Sequence, residues 1–592
     1  MSDTIESAAR GEEEVVHREF WGAKDSLRRN AGLHKRASDE VTPLLADGQG
    51  NDGDNSRRGR EWEGHADYEG LTWWHKPSMY WLLPPFFLFA IAGGGIMVPK
   101  LNLILSLVCR GYFIDRSSMD PNFVLAPIML GGDNPQCRIP EVQALATKFT
   151  LYITMISGTL SAIMSPKLGA LSDRYGRLRI LVITSGGAFL GEIITIAAAT
   201  YPDSMSYNWL LLGAFCDGLC GSFNAGMAIT HAYAADCTPP PKRAVAFGYF
   251  HACLFSGIAI GPLIAAFLVK ETGSLISTFY FALAVHTFFI LFVLTMVPES
   301  LTKKRQHQAQ ERHNAELYAL GLVERDWVVF FKRANILAPL KILYPTGPGT
   351  TAKLRSNLIL LSMVDTIIFG VAMGAMTVVV YYLGFQFGWD TAQISIFTSV
   401  VNVVRVTALI VVLPTLNYLV RTRRANKQRR ESGFAVPEPN SGTDTLDLSI
   451  IRAAVCFEIV GYGTYAAVRT GPLFVVAGVM AAMGGIGSPT LQSALTKHVP
   501  HDRIGQLLGA TGLLHALARI VCPLIFNLIY ANTVGTFPQA VFVVLSCCFV
   551  VGFIASWGIR PNVYLEDPIT FSGNTRTDAD PDVLVDEEVT GL

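Results

Sequence analysis

The chain has 592 residues, with 47 Lys+Arg against 47 Asp+Glu, 51% hydrophobic residues and only 16% charged ones. Zero net charge excludes a global electrostatic footprint for nucleic acid, and a charged fraction well below the roughly 25% of an average soluble domain excludes an ordinary water-facing surface. Residues 1–76, 299–353, 421–449 and 561–592 hold 60 of the 94 charges, leaving 34 for the other 400 residues, which is the pattern of a polytopic membrane protein.

Residues 1–76 are polar, mix Gly, Asp, Arg and Asn, and contain no signal-peptide core, so they read as a disordered cytosolic tail without a cleaved leader. Within them Glu40-Val-Thr-Pro-Leu44-Leu45 fits an acidic dileucine sorting signal. It implies a sorting adaptor as a partner and an internal acidic membrane, vacuolar rather than plasma, as the location.

Apolar runs of roughly 20 residues or more then place twelve spans at about 80–108, 147–171, 179–200, 209–235, 245–269, 275–297, 354–384, 391–418, 450–468, 471–496, 505–532 and 537–559. The runs are continuous rather than alternating, which excludes a β-barrel. The fold class is therefore all-α, with Gly, Ala and Ser in the spans as close packing in lipid favours. The longest internal loop, 299–353, splits the membrane part into six-helix bundles at 77–298 and 354–560, and an acidic cytosolic tail follows at 561–592. The loops after the even-numbered spans carry more than 20 Lys and Arg; the opposite set carries six, namely Arg110, Arg116, Arg138, Lys148, Lys270 and Arg469. Both termini are thereby expected in the cytosol. Most of the ten cysteines lie inside spans, where they act as small apolar residues. Cys109 and Cys137 flank the first non-cytosolic loop and can bridge if that compartment oxidises. No third ligand accompanies Cys216 and Cys220, so no metal is expected.

Ionisable groups inside spans are costly and are functional candidates by default. They are Glu192 in span three, Asp217 and His231 in span four, Asp365 in span seven, Arg405 in span eight, and His515 and Arg519 in span eleven. His251, His286 and Glu458 lie in spans five, six and nine, the first and last left without a role, and Lys100 reads as a snorkelling residue at the outer end of span one. At 1.5 Å per residue, Glu192 and Asp217 fall at one depth. Asp217, Gly221, Asn224 and His231 recur at i, i+4, i+7 and i+14, a polar stripe on one helix face, read either as cavity wall or as interhelical polar glue. Asp365 and Arg405, on consecutive antiparallel spans, are expected to form a buried pair, with anion recognition by Arg405 as the alternative. The aromatic and basic stretch Trp327–Leu340 is read as an interfacial helix or a partly ordered linker.

The halves share sequence. Thr238–Gly248 aligns with Val499–Gly509 at an offset of 261, and the same offset pairs Pro262-Leu-Ile with Pro523-Leu-Ile. A parallel six-helix duplication is a secondary-transporter design. Between spans two and three, Gly169-Ala-Leu-Ser-Asp173-Arg174-Tyr-Gly176-Arg177 resembles the signature of the major facilitator superfamily. The resemblance implies twelve helices in two pseudo-symmetric bundles, a central cavity lined by spans one, four, seven and ten, and a gating rather than substrate-binding role for Gly169, Asp173, Arg174, Gly176 and Arg177. Asp173 suits the positive end of a neighbouring helix or an Arg. The equivalent stretch after span eight, Pro414–Arg421, is degenerate. Shorter patches extend the likeness. Cys216–Ser222 and Ala234–Cys237 look like the proton-coupled folate transporter, Thr238–Pro262 like the tetracycline/proton antiporters, and Asn335–Pro345 like their fungal vacuolar-type relatives. Gly257–Ala266 departs from the antiporter pattern by lacking its final glycines. No Walker A loop and no zinc-protease motif occurs, so neither enzyme chemistry nor a cofactor is expected. The expected function is secondary transport of a small solute by alternating access, coupled to protons. The alternatives are an uncoupled facilitator and a transport-inactive receptor or scaffold on the same fold.

Overall fold

The computed structural model describes residues 68, 70–119, 134–319, 338–346, 350–389, 391–423, 442–500 and 503–563. Contacts divide the chain into residues 61–306 with 336–592, which form the membrane core, and a second unit of residues 1–60 with 307–335. The dileucine signal at Glu40, Leu44 and Leu45 lies outside the described residues, as does Trp327–Leu337 of the aromatic stretch.

The described core is helical throughout. Spans one to six are Met79–Met119, Pro140–Tyr175, Arg177–Thr200, Trp209–Leu219 with Ser222–Cys237, Arg243–Thr272 and Ile276–Thr295. Span seven is Ala352–Phe387. Span eight runs from Thr391 through two π-helical turns to Thr422, and span nine is Thr445–Ala467. Span ten is Gly471–Met483 with Gly487–Thr496, span eleven Ile504–Thr533 and span twelve Ala540–Trp557. Among the described residues eleven helices are long and apolar enough to cross a membrane. Span nine completes the twelve and carries Asp447, Arg452 and Glu458. Leu263, Phe267, Leu291 and Ile554 point outward and exposed, as side chains facing lipid do. The protein is an integral, multi-pass membrane protein.

Glycine sets the spacing between helices. Gly94 and Gly95 of span one face Gly257 and Gly261 of span five with no room for a Cβ between the two main chains. The seam between the halves is built alike. Gly169 of span two meets Gly505 and Gly509 of span eleven, and Gly248 of span five meets Leu413 of span eight.

Span four is not one helix, which corrects the expected stripe. Gly221 takes φ +85° and Ser222 φ +52°, so the helix stops at Leu219 and restarts at Ser222. Asn224 and His231 share a face of the second segment, but Asp217 belongs to the first, and a count through the break does not hold. Span ten is interrupted close to the repeat-related position by the 3₁₀ turn Gly484–Ile486, which keeps right-handed backbone angles. Cys109, at the end of span one, is disulfide-bonded to Cys137.

Candidate functional site

The signature loop is built for a tight contact across the seam. Gly176 turns the chain at φ +101°, against the Glu299 carboxylate. That carboxylate accepts the backbone N–H groups of Arg177 (2.9 Å) and Leu178 (3.1 Å), the orphan donors at the start of span three. Burial pushes Glu299 upward in pKa, against the pull of those hydrogen bonds. Asp173 does the same for span eleven. Its two oxygens accept the N–H of Gly505 (3.0 Å) and of Gln506 (2.8 Å), placing a carboxylate at a positive helix end in the opposite half. Arg177 is fully buried and donates to Asp173 (2.5 Å), Ser172 (2.8 Å) and Asp236 (2.8 Å). Arg174 turns back to the Ala170 carbonyl at 3.2 Å.

A second charged cluster occupies the corresponding place in the other half, and sequence reasoning missed it. Arg421 donates to Asp444 (2.5 and 3.0 Å), Asp447 (2.7 Å), Asn417 (3.0 Å) and, across the seam, the Pro241 carbonyl. Lys497 pairs with Asp447, and with Asp444 at 3.7 Å. Burial alone would raise the Asp444 pKa; the hydrogen bond to Asp447 and the charges of Lys497 and Arg421 outweigh it and hold Asp444 well below the usual carboxylate range. Two signals pointed here. Asn417 and Arg421 repeat the four-residue spacing of Asp173 and Arg177, and Lys497 lies 261 residues after Asp236.

Between these clusters and the opposite face lie the remaining candidates. His515 Nε2 stands 2.9 Å from Asp365 Oδ2, and Ser488 donates to the other Asp365 oxygen at 3.4 Å. The His515 ring stacks on Phe369 at 4.2 Å. From the first half, His231 and His251 stack on each other at 5.1 Å, and His251 Nδ1 is 3.0 Å from the Phe247 carbonyl oxygen. His251 lies within electrostatic reach of Asp365 and His515, so both halves contribute to one polar centre. His231 Nε2 and Asn224 Nδ2 are buried and have no hydrogen-bond partner among the described residues.

Glu192 and Asp217 of the first half take different direct partners and stay within electrostatic reach of each other. Glu192 is 3.7 Å from Lys100, which therefore does more than snorkel, and Asp217 accepts from Ser157 at 2.8 Å. The expected Asp365–Arg405 pair is replaced. Span seven packs on spans ten, eleven and twelve, whereas span eight packs on spans five and ten, so spans seven and eight are not close neighbours. Asp365 takes His515, and the Arg405 guanidinium lies 4.7 Å above the Phe255 ring. Arg519 follows His515 by one turn on span eleven and is half-buried. His286 packs on the Phe89 ring at 4.8 Å. Among the described residues no group of three or more His, Cys, Asp or Glu could hold a metal.

Duplicated six-helix bundles, charged contacts at one end of their seam and ionisable groups at its middle define the class of two-bundle membrane transporters. The model of the Major Facilitator Superfamily matches residues 125–430, and the chain belongs to that superfamily. The MFS-type transporter avaJ of Aspergillus versicolor is 33% identical over 90% of this chain and 96% of its own. The proton-coupled folate transporter of Bos taurus is 23% identical over 67% of this chain and 75% of its own. Among solved structures, the human organic anion transporter MFSD10 (TETRAN) superposes with a TM-score of 0.57 at 16% identity, over 81% of this chain and 100% of that one.

Proposed function

We propose that this protein is a secondary active transporter that moves a small solute by alternating access and couples the movement to protons. The observation that carries this reading is the Asp365–His515 pair of the second half, with the stacked His231 and His251 of the first half within electrostatic reach. Imidazole and carboxylate are the groups that exchange protons near physiological pH. A centre shared between halves changes its surroundings whenever the halves rock. The similarity to the proton-coupled folate transporter adds weight to proton coupling. Glu192 and Asp217 are the further coupling candidates in the first half. Asp173, Arg174 and Arg177, with Gly169 and Gly176, serve as the gate on the face carrying loop 2–3. The bundles are 77–298 and 354–560, joined through 299–353, with both termini in the cytosol. The membrane is vacuolar or another internal acidic one, reached through the dileucine signal and a sorting adaptor.

The test is solute uptake into proteoliposomes with and without an imposed pH gradient, over amino acids, organic anions, folates and cationic drugs. Uptake that accelerates with the gradient is expected. Uptake indifferent to the gradient leaves an uncoupled facilitator, and no uptake of any solute removes the transport reading.

A further inference from the structure

Arg405 is a cation of the membrane core that has no carboxylate within salt-bridge distance among the described residues. Arg177, Lys100, Arg421 and Lys497 each hold a carboxylate within salt-bridge distance. Arg405 holds none among the described residues, and its buried Nε has no hydrogen-bond partner. Its ring contact is Phe255, on span five of the opposite half. The nearest carboxylate in electrostatic terms is Glu458 of span nine. The two side chains pack on consecutive glycines of the span-ten turn: a Cβ on Gly485 would stand 2.6 Å from Arg405 Cγ, and one on Gly484 2.5 Å from Glu458 Cγ. Span ten therefore tightens to a 3₁₀ turn and carries no side chain at either position where these groups approach, without bringing them into a pair.

A guanidinium presents five N–H donors in a planar fork that fits a carboxylate, and stacking on an aromatic face leaves the donor edge free. An intramembrane charge without a protein counter-ion is the expected mark of a ligand site. We propose that Arg405 anchors the carboxylate of an organic anion whose apolar body lies along Phe255. Because Arg405 and Phe255 come from different halves, such a solute bridges the moving parts. The assignment rests on the transport reading and names its solute class.

The test uses the purified full-length chain and a matched series: benzoate, benzamide and benzylamine. Benzoate is expected to raise the melting temperature and to be taken up by proteoliposomes, while the neutral and cationic members do neither. Arg405→Gln should weaken benzoate binding roughly 10-fold or more, the loss expected for a charged hydrogen-bonded contact. Arg405→Lys, which keeps the charge but not the fork, should retain part of it and carries the test if Arg405→Gln does not fold. Glu458→Gln should bind benzoate at least as well as the parent. The proposal is overturned if benzoate fails to bind, if benzamide or benzylamine binds equally well, or if both Arg405 variants bind benzoate like the parent. It is equally overturned if Arg405→Gln with Glu458→Gln regains stability lost in the single variants, which marks a structural pair. Uptake of the neutral or cationic member alone removes the anion assignment and leaves transport standing; benzoate binding without any uptake does the reverse.

Discussion

The Asp173 carboxylate of span two accepts the main-chain N–H of Gln506, in the first turn of span eleven, at 2.8 Å. This contact, with its neighbour at Gly505, joins the two halves at one face by a helix cap, and on the proposed alternating-access reading it holds that face closed. A side-chain cap is worth about 1 kcal/mol, somewhat more with a charge at the helix end. Asp173→Asn keeps the cap but loses its charge and the ion pair with Arg177. It should therefore make the state closed at that face harder to regain and slow turnover several-fold while solute affinity stays within about 2-fold, since a shift of roughly 1 kcal/mol is 5- to 6-fold in an equilibrium. Single-turnover flux and equilibrium binding on the same preparation separate the two. Loss of affinity with turnover preserved would remove the gating role.

Arg421 is expected to matter as much as Arg177, although its motif is degenerate. Arg421→Gln leaves Asp444 and Asp447 with Lys497 alone, and stranding part of a buried charge network costs on the order of 3 kcal/mol. Its pH signature has a definite sign. The Asp444 pKa is depressed in the folded state, so the stability it contributes is present above about pH 4, near its unfolded pKa, and is lost as pH falls through the folded value. Arg421→Gln removes a charge that depresses it, so the folded pKa moves back toward the unfolded one and the variant should lose less of its stability as pH falls below about 4. Melting temperatures recorded between pH 3 and 7 check this; parallel curves for parent and variant would contradict it.

Asp365 and His515 should behave as a unit. Asp365→Asn and His515→Gln are each expected to abolish the pH dependence of uptake while leaving the protein inserted. The double variant should be no worse than either single one, the non-additivity of residues sharing one task. Proteoliposome uptake from pH 5 to 8 is the measurement, and an unchanged profile in Asp365→Asn would show that the proton acts elsewhere.

His498, just beyond span ten, reports on acid stability. Its ring is buried between the Ala494 carbonyl (2.8 Å) and Asn357 (3.3 Å), and burial pushes its pKa down to about 4. An unfolded His titrates near 6.5, so between the two values the unfolded chain holds more protons. Stability should fall as pH drops from about 6.5 through 4, by roughly 3 kcal/mol. His498→Gln should flatten the melting-temperature curve across that interval.

The spans were legible because length and apolarity alone fix them, and the observed helices fall within a few residues of the expected ones apart from longer ends such as Met119 and Pro140. The fold followed from the repeat at offset 261 and the signature loop. What stayed hidden depended on tertiary neighbours. Gly221 is an ordinary small residue in a membrane helix until its positive φ is seen. Asp365 found His515 rather than Arg405 because span seven packs on spans ten, eleven and twelve and barely meets span eight. Asp236, Glu299, Asp444 and Asp447 lie near loop edges, where carboxylates look unremarkable, and only the folded chain gathers them around Arg177 and Arg421.

The cap at span eleven reads peptide groups, and this makes two adjacent residues opposite in their tolerance. Any residue but proline at position 506 offers Asp173 the same N–H, so the Gln506 side chain is chemically silent in the contact. A Cβ at position 505 would collide with Asp173 (2.6 Å from Oδ1), the Arg177 guanidinium and the Gly169 carbonyl (2.7 Å). Saturation mutagenesis across this junction should therefore show a permissive site directly beside an intolerant one. Descendants of this gene are free to drift at 506 while remaining bound to glycine at 505.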